Sequence, residues 1–110
     1  MVHLRERCGI LYKNRFIEIA NISYFDDEFL MDPVELYKYL DGLQAIVHSH
    51  EEICYPSGKD MENMRMWRVP WIIVGPDCIK GFLLTDSGVA EIDIDSLLPK
   101  ELKNLIMHLS

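Results

Sequence analysis

The sequence lacks several features that would settle its class at once. It has no apolar run near the ~18 residues that a membrane-spanning helix needs. Its opening residues, Met1-Val2-His3-Leu4-Arg5-Glu6, lack the apolar stretch of a signal peptide. No CxxC pair occurs among Cys8, Cys54 and Cys78, so neither a zinc knuckle nor a thioredoxin-like pair is indicated. An odd number of widely spaced cysteines is not a disulfide framework; free thiols and no export signal predict a reducing, cytoplasmic setting. Low-complexity tracts and repeats of solenoid period are absent. Basic residues are scarce, 11 against 18 acidic ones, for a net charge of −7. They do not cluster: Arg5, Arg7, Lys13 and Arg15 lie near the start, and Arg65 and Arg68 lie mid-chain among apolar residues. Duplex nucleic acid repels such a surface, so neither a nucleic acid nor a membrane is expected as partner.

What is present is the composition of one globular domain spanning residues 1–110, with 49% hydrophobic and 26% charged residues. A chain of this length buries about two-thirds of its unfolded surface and can build a core without staples. Residues 8–12 and 15–20 read as strands joined by a short turn at Lys13-Asn14. Phe29-Leu30-Met31 reads as a further short strand. Asp32-Pro33 starts a helix with Val34, Leu36, Tyr37 and Leu40 on its apolar face, and Asp41-Gly42 stops it. Leu43 to His50 reads as a buried strand ending in polar groups. Ser57 can cap a helix over 61–68, where Met61, Met64, Met66 and Trp67 read as core packing. Strands follow at 71–74, 79–85 and 89–94, the last two around Asp86-Ser87-Gly88. A helix over 96–109 carries Leu98, Leu102, Leu105, Ile106 and Leu109 on one face, with Pro99 in its first turn. The order β-β-α-β-α-β-β-β-α predicts an α+β fold, a mixed β-sheet packed against two to three helices.

The segment that carries chemistry is His48-Ser49-His50, followed by Ser57 and Asp60. Residues two apart on a strand share a face, so His48 and His50 present two imidazoles side by side. Asp60, arriving from the next helix start, adds an oxygen. Two nitrogens and one carboxylate oxygen suit a catalytic zinc with a fourth position for water, although the same set also suits iron or manganese. Taken alone, such a pair of histidines is common by chance, and Ser57 is equally a plain helix cap.

His48-x-His50…Ser57-x-x-Asp60 resembles the metal-binding signature of the JAB/MPN (JAMM) metallopeptidases. That signature includes an upstream glutamate in a Glu-x-Cys-Gly-φ-φ setting, and Glu6-Arg7-Cys8-Gly9-Ile10-Leu11 matches it. Asn21, Phe29 and Pro33 fit the segment that often precedes the histidines, and Pro70-Trp71-Ile72-Ile73-Val74 fits the one that follows the aspartate's helix. The likeness covers roughly residues 6 to 74 and is nearest to the small JAB domains of phage tail assembly. It implies a JAB/MPN fold with cytidine-deaminase-like layering, Zn2+ as cofactor, and a polypeptide substrate cut at a peptide or isopeptide bond. It implies His48, His50 and Asp60 as metal ligands, Glu6 as the acid–base residue and Ser57 as donor to the oxyanion. In this chain Glu51 stands where the family has proline, and six residues rather than seven separate His50 from Ser57. The family's helix before the glutamate has no counterpart in the five residues preceding Glu6, so a protein partner or a second copy is expected to cover the sheet.

The sequence leaves two other readings open. One is a catalytically silent JAB/MPN module that binds proteins. The other is a zinc hydrolase acting on a small amide. Cys8 beside Gly9 reads as a buried, inert thiol rather than a nucleophile. His3, His108 and the run Asp26-Asp27-Glu28 read as solvated, and Asp93 and Asp95 as surface or capping acids.

Overall fold

Apolar alternation in six segments produces one six-stranded sheet, seen in a computed structural model that describes residues 6–24 and 30–109. The strands are β1 (Cys8–Tyr12), β2 (Arg15–Ile19), β3 (Leu43–Ser49), β4 (Trp71–Val74), β5 (Ile79–Thr85) and β6 (Gly88–Ile92). Their order across the sheet is β2-β1-β3-β4-β5-β6. Neighbours are antiparallel except β3 and β4, which run parallel. Among the described residues, three α-helices complete the α+β fold: α1 (Pro33–Leu36), α2 (Gly58–Met64) and α3 (Lys100–Met107). The parallel pair needs a crossover, and the connection carrying α2 supplies it.

Each strand of the sheet's centre alternates its side chains between two cores. Cys8, Ile10, Ile46, Trp71, Ile73 and Phe82 face Leu36 and Met64. Leu11, Ala45, Val47, Ile72 and Val74 face Leu98, Ile106 and Leu109 on the other side. The β1–β2 hairpin closes through Lys13 and Asn14, both at positive φ (48° and 64°), as the tight turn between twisted strands requires.

Several expectations are corrected. The helix after Asp32 is a single α-turn that continues as a 3-10 stretch over Tyr37–Gly42. Leu36 is buried and Val34 exposed on the single α-turn, and Tyr37 and Leu40 are exposed because a 3-10 stretch does not hold an α-helical stripe. α2 starts at Gly58 and ends at Met64, leaving Met66 exposed. The final helix starts at Lys100, with Pro99 as its N-cap and Ser96 in a separate 3-10 turn; Leu105 points outward. Met31 makes one isolated bridge to Asn21 rather than a strand. Phe29, the run Asp26–Glu28 and His3 lie outside the described residues. Not all thiols are free: Cys54 and Cys78 form a disulfide across 24 residues, with Cα atoms 6.1 Å apart, and only Cys8 is a free thiol. Two of the three thiols behind the expected reducing compartment are therefore bonded to each other. No described helix is long and apolar enough to cross a membrane.

Candidate metal centre

The last turn of the sheet's central strand sets the site. Ala45, Ile46 and Val47 bury β3 on both faces, and alternation then places His48 on the face of α2. His48 pairs with Cys8 on β1 and Ile73 on β4 and is fully buried. Its ring packs edge-on against Trp71, with centroids 5.8 Å apart. His50 follows just past the strand end, where its N–H donates to the Val74 carbonyl at 2.8 Å. The two imidazoles lie 4.6 Å apart between centroids, side by side as the spacing predicts.

Asp60 reaches them from α2. Ser57 is the N-cap: its Oγ accepts from the Asp60 N–H at 3.1 Å, and Asp60 Oδ2 accepts from the Ser57 N–H at 2.9 Å. This reciprocal capping box aims the Asp60 carboxylate back over the end of β3. Asp60 Oδ2 lies 3.0 Å from His50 Nε2, and Oδ1 lies 3.4 Å from His48 Nε2.

Glu6 enters from the other side. Arg7 exchanges two bonds with Ser49: its N–H donates to Ser49 Oγ, and its carbonyl accepts from the Ser49 N–H, both at 2.8 Å. Asn21 Nδ2 donates to the Glu6 carbonyl at 2.7 Å. Glu6 Oε1 then stands 3.5 Å from His48 Nδ1. Ligand atoms of Glu6, His48 and His50 all lie within 4.8 Å of one another, a set that could hold a metal ion.

Two carboxylates thus meet one buried and one partly buried imidazole. Burial alone would raise the Asp60 carboxyl, but the bonds from His48 and His50 outweigh it and hold it below the usual carboxylate range. Burial likewise opposes charge on His48, yet Asp60 and Glu6 together raise its affinity for a proton. His50 Nδ1 faces the Ile53 carbonyl at 3.1 Å while Nε2 faces Asp60. Both partners are acceptors, and a neutral imidazole has one N–H, so a cation between Nε2 and Asp60 would complete the pairing. A tetrahedral ion with bonds of about 2.0–2.1 Å spaces its ligand atoms about 3.3 Å apart. The 3.4 Å and 3.0 Å separations of Asp60 from the two Nε2 atoms fit that spacing.

The five residues singled out by sequence are therefore adjacent, with Ser57 joined to the cluster through its capping bonds to Asp60. Ser49 and the Ile53 carbonyl hold the cluster and carry no signal of that role in the sequence, whereas Asn21, which the resemblance marks only as part of the preceding segment, holds the Glu6 carbonyl. Cys8 is inert as expected: its thiol donates to the Ile19 carbonyl at 3.4 Å, and burial pushes its pKa up to about 12. Glu51 and Glu52 are exposed. A cavity of about 280 Å³ opens on the same face of the sheet, floored by Ile46 and Trp71 and walled by Leu36, Tyr37, Asn63 and Met66.

The fold has a counterpart in the solution structure of a Desulfitobacterium hafniense protein. The TM-score is 0.68 at 22% identity, covering 81% of this chain and 76% of that one. No family model matches the chain. By sequence it is similar to a desampylase of Pyrococcus furiosus, at 39% identity over 82 aligned residues, which cover 63% of this chain and 59% of the relative. It is also similar to a probable TtuB-protein conjugate cleaving protease of Thermus thermophilus, at 39% identity over 66 residues, covering 53% of this chain and 44% of that protein. The matched region spans about half the length of these curated relatives.

Proposed function

We propose that the chain, over residues 1–110, is a zinc metallopeptidase of the JAB/MPN (JAMM) type that hydrolyses peptide or isopeptide bonds in proteins. The observation that carries this reading is the approach of Asp60 to both histidine Nε2 atoms at 3.0 and 3.4 Å, with Glu6 beside them. The names of the two relatives, a desampylase and a conjugate cleaving protease, support a protein conjugate as substrate. Neither name concerns phage tails.

His48, His50 and Asp60 are the ligands in this reading, because Asp60 approaches both Nε2 atoms more closely than Glu6 approaches His48. Zinc bound there supplies Lewis acidity and lowers the pKa of a water toward neutrality. Glu6 takes the proton of the attacking water and returns it to the leaving amine. Its fixed backbone, held by Asn21 and by the Arg7–Ser49 pair, keeps the carboxylate within one water of the histidines. Ser57 Oγ accepts from the Asp60 N–H, so its own hydroxyl proton is available to an oxyanion. His50, held from Ile53 and Asp60, keeps its ring from turning away.

The test is hydrolysis of an isopeptide-linked protein–protein conjugate by the zinc-loaded chain. Cleavage that disappears on chelation and in Glu6→Gln is expected. No cleavage of isopeptide-linked, linear or small-amide substrates by a zinc-replete protein would contradict the proposal. A non-catalytic binding module is the second reading, favoured by exposed Ile22, Leu30 and Tyr37 at the rim of the cavity. Partner binding that survives Glu6→Gln with no turnover would select it.

A further inference from the structure

His50 is the ligand candidate that lies beyond the end of its strand, so the sheet alone does not fix its ring. Its Nδ1 is held by the Ile53 carbonyl at 3.1 Å. Ile53 lies in the loop between β3 and α2, and its side chain is 64% exposed, so side-chain packing does not anchor that carbonyl. The next residue does. Cys54 is buried in the core and bonded to Cys78.

The other end of this bridge returns to His50. Cys78 sits in the turn between β4 and β5, and its carbonyl accepts from the Gly75 N–H at 2.9 Å. A side chain on Gly75 would meet Cys54 Sγ at 2.8 Å and Cys78 Sγ at 3.1 Å, so the bridge rests on bare glycine backbone. Val74, the residue before Gly75, accepts the His50 N–H at 2.8 Å. One disulfide therefore closes a circuit through Val74, His50, Ile53, Cys54, Cys78 and Gly75. Both the backbone and the Nδ1 atom of His50 belong to it.

We propose that the Cys54–Cys78 disulfide is a positioning element for His50, and that its reduction by a dithiol lowers the metal affinity of the site. The inference rests on the reading of His50 as a metal ligand. In the step, a dithiol reductant gives two electrons and two protons to the bridge. Cys54 and Cys78 become thiols, and the reductant becomes a disulfide. The Ile53 carbonyl is then released from the β4–β5 turn, and the His50 ring loses the partner that fixes its tautomer. Partners of this kind are worth about 10- to 100-fold in metal affinity.

The test measures zinc affinity by competition with a chromophoric chelator on the full chain. Four forms are compared: oxidised; reduced by dithiothreitol and desalted without air; reoxidised; and the double variant Cys54→Ser/Cys78→Ser. The expected result is about 10- to 100-fold weaker binding in the reduced and variant forms, with recovery on reoxidation. Imidazole nitrogen shifts of the metal-free protein add a readout that a merely stabilising bridge would not move. His50 holds its Nδ1–H in the oxidised form and loses that preference on reduction. Equal or tighter zinc binding after reduction would overturn the proposal. If His50→Ala abolishes binding while reduction leaves it unchanged, only this inference fails. If the oxidised wild type takes up no zinc, the metal-centre reading fails with it.

Discussion

His50 Nε2 and Asp60 Oδ2 meet at 3.0 Å although they belong to different elements, one just past a strand and the other in the first turn of a helix. The meeting depends on Ser57, whose reciprocal bonds with Asp60 fix the carboxylate. Ser57→Ala removes the side-chain half of the capping box. We expect a loss of about 1 kcal/mol in stability by urea denaturation, typical of an N-cap serine. We also expect hydrolysis to fall by more than that loss of folded population explains. Unchanged stability and activity would mean that the cap neither holds Asp60 nor serves the reaction.

The metal-free protein should depend on pH in a defined direction. The proton affinity of His48 is raised above its ordinary 6.5, so its contribution to stability is fully present below pH 6.5 and is lost as pH rises through the raised value. Asp60 is lowered from its ordinary 3.8, so its contribution is present above that pH and fades as pH falls toward the lowered value. Urea denaturation of metal-free protein should show stability falling as pH rises above about 6.5. Zinc must displace the His48 proton, so its affinity should climb over the same range. A zinc affinity flat from pH 6 to 8 would contradict this.

Much of the fold is legible because the strands state themselves. β1, β4 and β5 occupy the segments that alternation and buried runs mark, and Lys13-Asn14 closes the first hairpin. Helices are less legible. α1 is one turn long, too short for periodicity to choose a face, and α3 begins four residues later than its capping signals suggest. Within the candidate site, two pairings are legible from local geometry: His48 and His50 share a face, and Ser57 and Asp60 share a capping box, whereas Glu6 is reached only through the family resemblance. The Cys54–Cys78 bond does not read through. It depends on the return of the chain from β4 into β5, and a separation of 24 residues says nothing about a Cα distance of 6.1 Å.

Glu6→Gln separates binding from chemistry. The amide keeps the size of the side chain and cannot accept a proton from water. Metal content by mass spectrometry should stay at the wild-type level, while the rate of conjugate hydrolysis falls by about 10²- to 10⁴-fold. Loss of metal in this variant would instead make Glu6 a ligand, the assignment that its closeness to His48 and His50 also allows.

Phe82→Ala tests the core behind the loop. Phe82 is buried on β5, and Tyr55, the neighbour of Cys54, packs edge-on against it at 5.3 Å. Removing the ring should cost about 3–5 kcal/mol in a urea titration. A loss under about 1 kcal/mol would mean that the site closes over the cavity without strain.

The proposed chemistry depends on a metal held by His48, His50 and Asp60, and metal content is the first property to measure. Inductively coupled plasma mass spectrometry on untagged protein purified without chelator should find about one zinc per chain, as a three-ligand site predicts. It should find none in His48→Ala or Asp60→Ala variants that remain folded by circular dichroism. A folded wild-type protein that carries no zinc and takes none up, or variants that keep it, would contradict the account.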